Sequence, residues 1–266
     1  MATAQQEVAA TTTPAFPPLP LKDRVAIVTG GSRGIGRAIS LHLSSLGARL
    51  VINYTSPSSS DQANLLASQL PAAVAVKADI SDPDQVKSLF DSAEAAFGSP
   101  VHILVNSAGV LDSKYPSIAS TAVDDFDRTF AVNARGAFLV CREAANRLKR
   151  GGGGRIICLT TSLVAALKPS YGAYVGSKAA VEAMVKILAK ELRGTGITAN
   201  CVAPGPIASD MFFAGKTEEM IRMAAEQSPL GRLGVPDDVA PVVGFLVTDP
   251  GEWVNGQIVR VNGGYI

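Results

Sequence analysis

The sequence is poor in the residue types that build metal centres and disulfide frameworks. Among its 266 residues there are three cysteines, Cys141, Cys158 and Cys201, and two histidines, His42 and His102. The cysteines are far apart and odd in number, which indicates buried thiols of a reducing compartment rather than bridges. No Cys/His cluster has the spacing of zinc ligands, so we predict no metal site.

Long apolar runs and an excess of one charge are also missing. The formal net charge is +1, which gives no electrostatic footprint for nucleic acid or for an anionic membrane surface. No apolar run reaches the roughly 18 residues that a membrane-spanning helix needs. We therefore predict neither a nucleic-acid nor a membrane partner. The 47% of hydrophobic residues is enough to form one large core.

Residues 1–20 differ in composition from the rest of the chain. They are small and polar, end in prolines and have no periodicity, which predicts a disordered tail before a domain at 21–266. The tail has neither the basic nor the apolar region of a secretory signal. It carries no Lys or Arg before Lys22, which makes it a poor transit peptide. We therefore expect a cytoplasmic protein, with a plastid location as the alternative.

Strand-like and helix-like stretches alternate about six times and end in a last strand at 257–261. This alternation predicts a single α/β domain of the Rossmann type, doubly wound, with a seven-stranded, mostly parallel sheet flanked by helices. One long helix is expected at about 122–149 and another at 172–193. Pro241 should kink or shorten the helix that starts at Pro236.

A glycine-rich turn from Gly30 to Gly36 follows the first strand and opens the first helix. Such a turn suits a dinucleotide, because glycines admit the pyrophosphate and the helix N-terminus offers free N–H groups. A phosphate loop would need Lys-Ser/Thr where Arg37-Ala38 stands. A hydrolase elbow centred on Ser32 would need a histidine late in the chain, and both histidines precede residue 103. A turn that merely packs strand against helix is the remaining alternative.

Tyr174 and Lys178 are four residues apart, which places both side chains on one face of a helix. A phenol has an ordinary pKa of about 10 and exchanges protons poorly near neutrality. A nearby ammonium favours the phenolate and lowers that pKa. The pair therefore predicts a proton-transfer site, although a core ring beside a solvated charge has the same spacing.

Several separated motifs together resemble the short-chain dehydrogenase/reductase family. They are T-G-x-x-x-G-x-G at Thr29 to Gly36, Asp79-Ile80 after the third strand, Asn106-Ser107-Ala108-Gly109 after the fourth, Asn133, Ser162, Tyr174-x-x-x-Lys178 and Pro204-Gly205. The resemblance covers about residues 21–266. In the C-terminal half the chain looks like the plant NADPH-dependent aldehyde reductase-like branch.

The resemblance implies four catalytic residues. Tyr174 would donate the proton, Lys178 would lower its pKa and hold the nicotinamide ribose, and Asn133 would orient a water that links Lys178 to solvent. Ser162 would hydrogen-bond the carbonyl oxygen. Ser162 lies 12 residues before Tyr174, whereas the commoner spacing of 13 falls on Thr161. We favour Ser162 because a one-residue deletion in a loop is easily absorbed, with Thr161 as the alternative.

The end of the second strand indicates which cofactor binds. No carboxylate lies between Asn53 and Asp61, where an NAD-preferring enzyme has one for the ribose 2′-hydroxyl. Arg33 could instead pair with a 2′-phosphate, which favours NADP(H). The predicted cofactor-binding residues are Gly30, Ser32, Arg33, Gly34, Ile35, Gly36, Asn53, Tyr54, Asp79, Ile80, Asn106, Ala108, Gly109, Tyr174, Lys178, Pro204, Gly205 and Ile207.

The predicted function is NADPH-dependent reduction of an aldehyde or ketone to an alcohol. A substrate loop near 205–228 carries Met and Phe side chains, which suggests a small lipophilic carbonyl or alcohol as substrate. Tyr171 is expected to form a pocket wall. The family implies a homotetramer, or a homodimer. The alternatives are a ketoreductase of fatty-acid or specialised steroid, alkaloid or terpenoid metabolism, and, from another class, a non-catalytic NADP-binding redox sensor.

Overall fold

The computed structural model describes residues 19–266, which form seven strands in one sheet. The sheet order is β3-β2-β1-β4-β5-β6-β7, and every strand pair is parallel. The strands are β1 (Val25–Thr29), β2 (Arg49–Tyr54), β3 (Ala73–Lys77), β4 (Val101–Asn106), β5 (Gly154–Leu159), β6 (Ile197–Pro204) and β7 (Ile258–Val261). The predicted α/β fold is confirmed. Most of the predicted tail, residues 1–18, lies outside the described residues.

Helices cover both faces of the sheet. They are α1 (Gly34–Ser45), α2 (Ser60–Gln69), α3 (Pro83–Phe97), α4 (Val123–Phe130), α5 (Ala137–Arg147), α6 (Leu163–Ala166), α7 (Gly172–Glu191), α8 (Asp210–Phe213), α9 (Glu218–Glu226) and α10 (Pro236–Val247). One core cluster joins the sheet to α3, α5 and α7, and the other joins it to α1, α2 and α10. Val25 and Ile27 of β1 belong to the first cluster, and Ala26 and Val28 to the second, as the alternation of side chains along a strand requires.

Two predicted helices differ in detail from the observed ones. The helix expected at 122–149 is divided by a π-helical segment, Ala131–Gly136, that joins α4 to α5. In α10 the expected shortening at Pro241 is not observed, since the helix continues to Val247. Pro241 lies in the second turn of α10, so it removes one hydrogen bond near the helix start and leaves the later turns intact.

The strand order places a crevice above the middle of the sheet. The chain runs outward from β1 to β3 and then returns to β4 on the other side of β1. In open parallel sheets ligands bind at this switch point, beyond the carboxyl ends of the strands. Within residues 19–266 no helix is both long and apolar enough to cross a membrane. The three cysteines are buried and free.

Candidate active site

A cleft of about 650 Å³ lies at the carboxyl ends of the central strands. Its floor is the turn between β1 and α1. Gly30 adopts φ +60°, and a Cβ there would lie 2.9 Å from the Cα of Ala108. A Cβ on Gly36 would lie 2.2 Å from the carbonyl oxygen of Gly30. Both glycines are therefore required by the backbone, and the turn leaves the N-terminus of α1 open to the cleft.

The ends of β1 and β4 are tied together beneath this turn. The Thr29 hydroxyl donates to Asn106 Oδ1 at 2.7 Å and accepts from the main-chain N–H groups of Ser107 and Ala108 at 3.1 Å. Asn106 is buried, so this predicted cofactor residue supports the loop from below. Ser107, Ala108 and Gly109 themselves line the cleft.

The wall beyond β2 is made of hydroxyl groups and one arginine. Arg33, Tyr54, Thr55, Ser56 and Ser59 line it, and none of them is a carboxylate. Three of these were not predicted, namely Thr55, Ser56 and Ser59, although the run Thr-Ser-Pro-Ser-Ser-Ser directly after β2 was the available signal. This wall suits an anionic group such as a phosphate.

Asn53 does not reach this wall. Its side chain is fully buried and donates to the carbonyl of Ala78 at 3.0 Å. Asn53 therefore joins β2 to the end of β3 and positions Asp79 and Ile80, which do line the cleft. One oxygen of Asp79 accepts from the N–H and the hydroxyl of Ser81, at 2.9 and 2.8 Å.

Asn133 lies in the π-helical segment, a feature that often marks a functional site. Its amide forms a reciprocal pair with the main chain of Val110, accepting from N–H at 2.8 Å and donating to C=O at 2.9 Å. It also donates to the Ser177 hydroxyl at 3.1 Å. A Cβ on Gly109 would lie 3.3 Å from both Asn133 Oδ1 and Lys178 Nζ. Glycine at 109 thus lets both side chains approach one point of the cleft.

Tyr174 and Lys178 lie on α7, as the spacing predicted, and both line the cleft. The Lys178 ammonium lies 6.0 Å from the centre of the Tyr174 ring. Burial lowers the pKa of Lys178 to about 8 and raises the pKa of Tyr174 to about 12. The sequence predicted a lowered pKa for the phenol. The loss of water around the buried phenol raises its pKa, and this effect exceeds the lowering that the contact with Thr161 causes.

Thr161 and Ser162, the two candidates for binding the carbonyl oxygen, face different partners. The Ser162 hydroxyl donates to the carbonyl of Ala203 at 2.9 Å and accepts from Asn262 Nδ2 at 3.0 Å. The Thr161 hydroxyl accepts a hydrogen bond from the Leu163 N–H at 3.2 Å, and its proximity to the Tyr174 phenol opposes the rise that burial causes in the phenol's pKa. Because the Ser162 hydroxyl is engaged on both sides, Thr161, the alternative with the spacing of 13, is the better candidate. Ser162 instead anchors the loop to β6 and to Asn262.

The remaining predicted residues divide between lining and support. Ser32, Gly34, Ile35 and Pro204 line the cleft. Gly205 packs against Asn262, where a Cβ would lie 2.7 Å from the Asn262 Cβ. Ile207 is buried and pairs with Gly234 in an isolated bridge. Gly205 and Ile207 therefore shape the start of the substrate loop without lining the cleft.

Comparison with known proteins supplies the family. Residues 30–266 match the family profile described as enoyl-(acyl carrier protein) reductase. The chain is 64% identical to an NADPH-dependent aldehyde reductase-like protein, chloroplastic, of Arabidopsis thaliana, over 94% of this chain and 97% of the relative. The chain belongs to the short-chain dehydrogenase/reductase family. The resemblance found in its motifs is thus confirmed.

Two further similar proteins support the same family assignment. NADPH-dependent aldehyde reductase 2, chloroplastic, of Arabidopsis thaliana is 56% identical over 97% of this chain and 99% of the relative. A short-chain dehydrogenase of Burkholderia cenocepacia, solved in complex with NADP, is 34% identical with a TM-score of 0.85, covering 92% of this chain and 99% of the other.

The relatives overturn the cytoplasmic prediction. Both Arabidopsis reductases are named as chloroplastic, so the expectation of a cytoplasmic protein is wrong. It rested on the missing basic residues in the first 20 positions, which are only one of several compositional features of a transit peptide. Residues 1–18 lie outside the described part of the chain.

Proposed function

We propose that the chain reduces an aldehyde to an alcohol by hydride transfer from NADPH, with Tyr174 as the proton donor. The chain is an NADP(H)-dependent oxidoreductase, as its motifs predicted. The observation that carries the proposal is the arrangement of one cleft. One wall bears Arg33 and a row of hydroxyls, and Tyr174 and Lys178 line the same cleft. The names of the similar reductases support NADPH as the cofactor and an aldehyde as the substrate.

The cleft fits a dinucleotide on its own residues. Glycine at 30 and 36 leaves room for a pyrophosphate at the N-terminus of α1. Asp79 lines the same cleft and would contact the adenine, as the family resemblance implies. Arg33, with Thr55 and Ser56, would hold the 2′-phosphate. Lys178 would hold the ribose next to the nicotinamide. When bound, NADPH supplies the hydride that the carbonyl carbon accepts.

The protein contributes the proton and the stabilisation of charge. The pKa of Tyr174, raised to about 12 by burial, keeps the phenol protonated at neutral pH. A developing alkoxide is a much stronger base and takes that proton. The Lys178 ammonium then stabilises the phenolate that remains. The Thr161 hydroxyl, next to the phenol, would donate a hydrogen bond to the carbonyl oxygen as its charge grows.

Turnover of a carbonyl panel tests this proposal. NADPH consumption is measured with short aldehydes and ketones, with Tyr174→Phe as the matched control that retains the ring. We expect turnover with aldehydes and its loss by several orders of magnitude in Tyr174→Phe. NADPH binding without turnover of any carbonyl would contradict the enzyme and favour the redox sensor.

Exposed apolar side chains support assembly into a homotetramer. On α4, α5 and α7 the exposed residues include Val123, Phe138 and Ile187, and near α10 and β7 they include Phe245 and Trp253. One interface at each of these two places would give two self-complementary interfaces and hence a tetramer. The mass in solution, measured by light scattering after size exclusion, tests the assembly, and a monomer would contradict it. We also propose a plastid location, which the names of the chloroplastic relatives support.

A further inference from the structure

A second arginine, Arg128 of α4, lines the cofactor cleft besides Arg33. Val132, about one turn further along the chain, lines the same cleft. Asp125 and Thr129 instead line a small neighbouring cavity, so one row of side chains on α4 faces the cofactor cleft and the next row does not. Arg128 is exposed, and a ligand that enters the cleft from solvent can therefore reach its guanidinium.

The packing of Gly136 shows where along the cleft Arg128 lies. A Cβ on Gly136 would lie 2.9 Å from Cδ1 of Ile80, so the π-helical segment rests on the chain just beyond β3. Arg128 and Val132 precede Gly136 by about two turns and one turn, and they line the cleft together with Asp79 and Ile80. We call these four lining residues the adenine slot, because the family resemblance implies that Asp79 contacts the adenine.

The guanidinium of Arg128 forms no ion pair within residues 19–266. Asp125, three residues earlier, is paired with Lys114 Nζ at 2.9 Å. A guanidinium is planar and only weakly hydrated, so it stacks readily on an aromatic face. Arginine side chains bind nucleobases in this way. A flat base in the adenine slot would therefore meet a guanidinium that no carboxylate of the described chain engages.

We propose that Arg128 is a cofactor-binding residue whose guanidinium stacks on the adenine base of NADP(H). The side chains of Ile80 and Val132 then supply the apolar part of the slot, and Arg128 covers the base on the solvent side. This contact does not involve the 2′-phosphate, which Arg33 would hold, so it strengthens the binding of NADPH and NADH alike. The inference rests on the dinucleotide site of the proposed function and not on which carbonyl compound is reduced.

Cofactor binding without any carbonyl substrate tests the assignment. The dissociation constants of NADPH and NADH are measured by isothermal titration in about 0.5 M NaCl, where attraction between distant charges is screened. Arg128→Met should weaken both cofactors by the same factor, about threefold to 30-fold. Unchanged constants, or a loss confined to NADPH, would overturn the assignment while leaving the proposed carbonyl reduction intact. Failure of the wild type to bind either cofactor would overturn both.

Two further variants separate stacking on the base from attraction to a phosphate. Arg128→Phe carries a flat ring without charge and should bind both cofactors several-fold more tightly than Arg128→Met. Equal affinities of these two variants would mean that Arg128 acts through its charge alone, and would contradict the proposal. Arg135→Met is the matched control, because Arg135 is an exposed arginine of the adjoining segment that does not line the cleft. Its affinities should equal those of the wild type, and a loss as large as that of Arg128→Met would also contradict the proposal.

Discussion

The ammonium of Lys178 donates a 2.9 Å hydrogen bond to the main-chain carbonyl of Leu159, the last residue of β5. This contact joins the catalytic helix α7 to the centre of the sheet. It holds a charged group in a place where almost no water reaches it, since Lys178 is 4% exposed. The protein therefore maintains this ammonium at a cost in stability.

Lys178→Met should reveal that cost through its pH dependence. Burial lowers the pKa of Lys178 from 10.5 to about 8, so the folded state binds fewer protons than the unfolded state between these values. The stability of the wild type relative to Lys178→Met should therefore rise by on the order of 3 kcal/mol between pH 8 and 10.5. Urea unfolding at several pH values measures the difference.

Lys190→Met, on the exposed side of α7, is the control for Lys178→Met. Its stability relative to wild type should not change over the same pH range. If the free energy of unfolding of the wild type relative to Lys178→Met also stayed constant over this pH range, the Lys178 ammonium would not be desolvated in the folded protein. Tyr171 and Tyr174, whose pKa values burial raises to about 12, remain in both variants and cancel in the comparison.

Thr161→Val and Ser162→Ala should have opposite consequences. The Ser162 hydroxyl is already occupied by Ala203 and Asn262, so its removal should lower the free energy of unfolding by about 1 kcal/mol and change kcat only a few-fold. Thr161→Val keeps the shape but removes the hydroxyl beside Tyr174, and should lower kcat by about 100-fold or more. Steady-state kinetics and thermal unfolding of both variants decide the assignment. The reverse pattern would mean that Ser162, and not Thr161, hydrogen-bonds the carbonyl oxygen.

The fold and most of the cleft were predictable because local patterns encode them. Alternating strands and helices indicate a parallel sheet, and Gly30 and Gly36 indicate a close backbone approach. The roles of Asn53 and Asn106 were not predictable, because their orientation into the protein depends on hydrogen bonds to Ala78 and Thr29. Asn53 is the second-last residue of β2 and Asn106 is the last residue of β4, so sequence position alone does not show whether such a residue lines the cleft or supports it.

The partners of Thr161 and Ser162 depend on long-range geometry. Asn262, which donates a hydrogen bond to Ser162, is 100 residues away in the chain. Local spacing cannot predict a contact over that separation. The raised pKa of the Tyr174 phenol likewise depends on burial by the whole fold rather than on the distance to Lys178. Local spacing therefore predicted the pair on α7 but not its electrostatics.

Arg33→Ala should remove most of the preference for NADPH. Arg33 is exposed and lies within the glycine turn, where it lines the cleft together with the hydroxyl groups that follow β2. We expect the wild type to bind NADPH at least tenfold more tightly than NADH, because a hydrogen bond between charged groups is worth about 1.5–3 kcal/mol. Isothermal titration with both cofactors measures the gap. Arg37→Ala, one turn along α1, is the control, and equal affinities in the wild type would refute the role of Arg33.

Lys216→Met should loosen the substrate loop without touching the cofactor cleft. The Lys216 ammonium lies 4.4 Å from the centre of the Tyr115 ring and 4.5 Å from that of Phe212, and it donates to the Phe212 carbonyl at 2.7 Å. These contacts join the substrate loop to the loop after β4. Their loss should raise KM for aldehydes several-fold and speed chymotrypsin cleavage within 205–228.

The affinity of Lys216→Met for NADPH should remain that of the wild type, since Lys216 does not line the cofactor cleft. Lys190→Met again serves as the control for a general effect of losing a lysine. Limited proteolysis followed by mass spectrometry locates the cleavage sites, and kinetics at saturating NADPH give KM. An unchanged cleavage rate together with an unchanged KM would contradict this prediction. The Lys216 ammonium would then contribute nothing measurable to holding the substrate loop, and apolar side chains such as Phe212 and Met211 would hold the loop by packing alone.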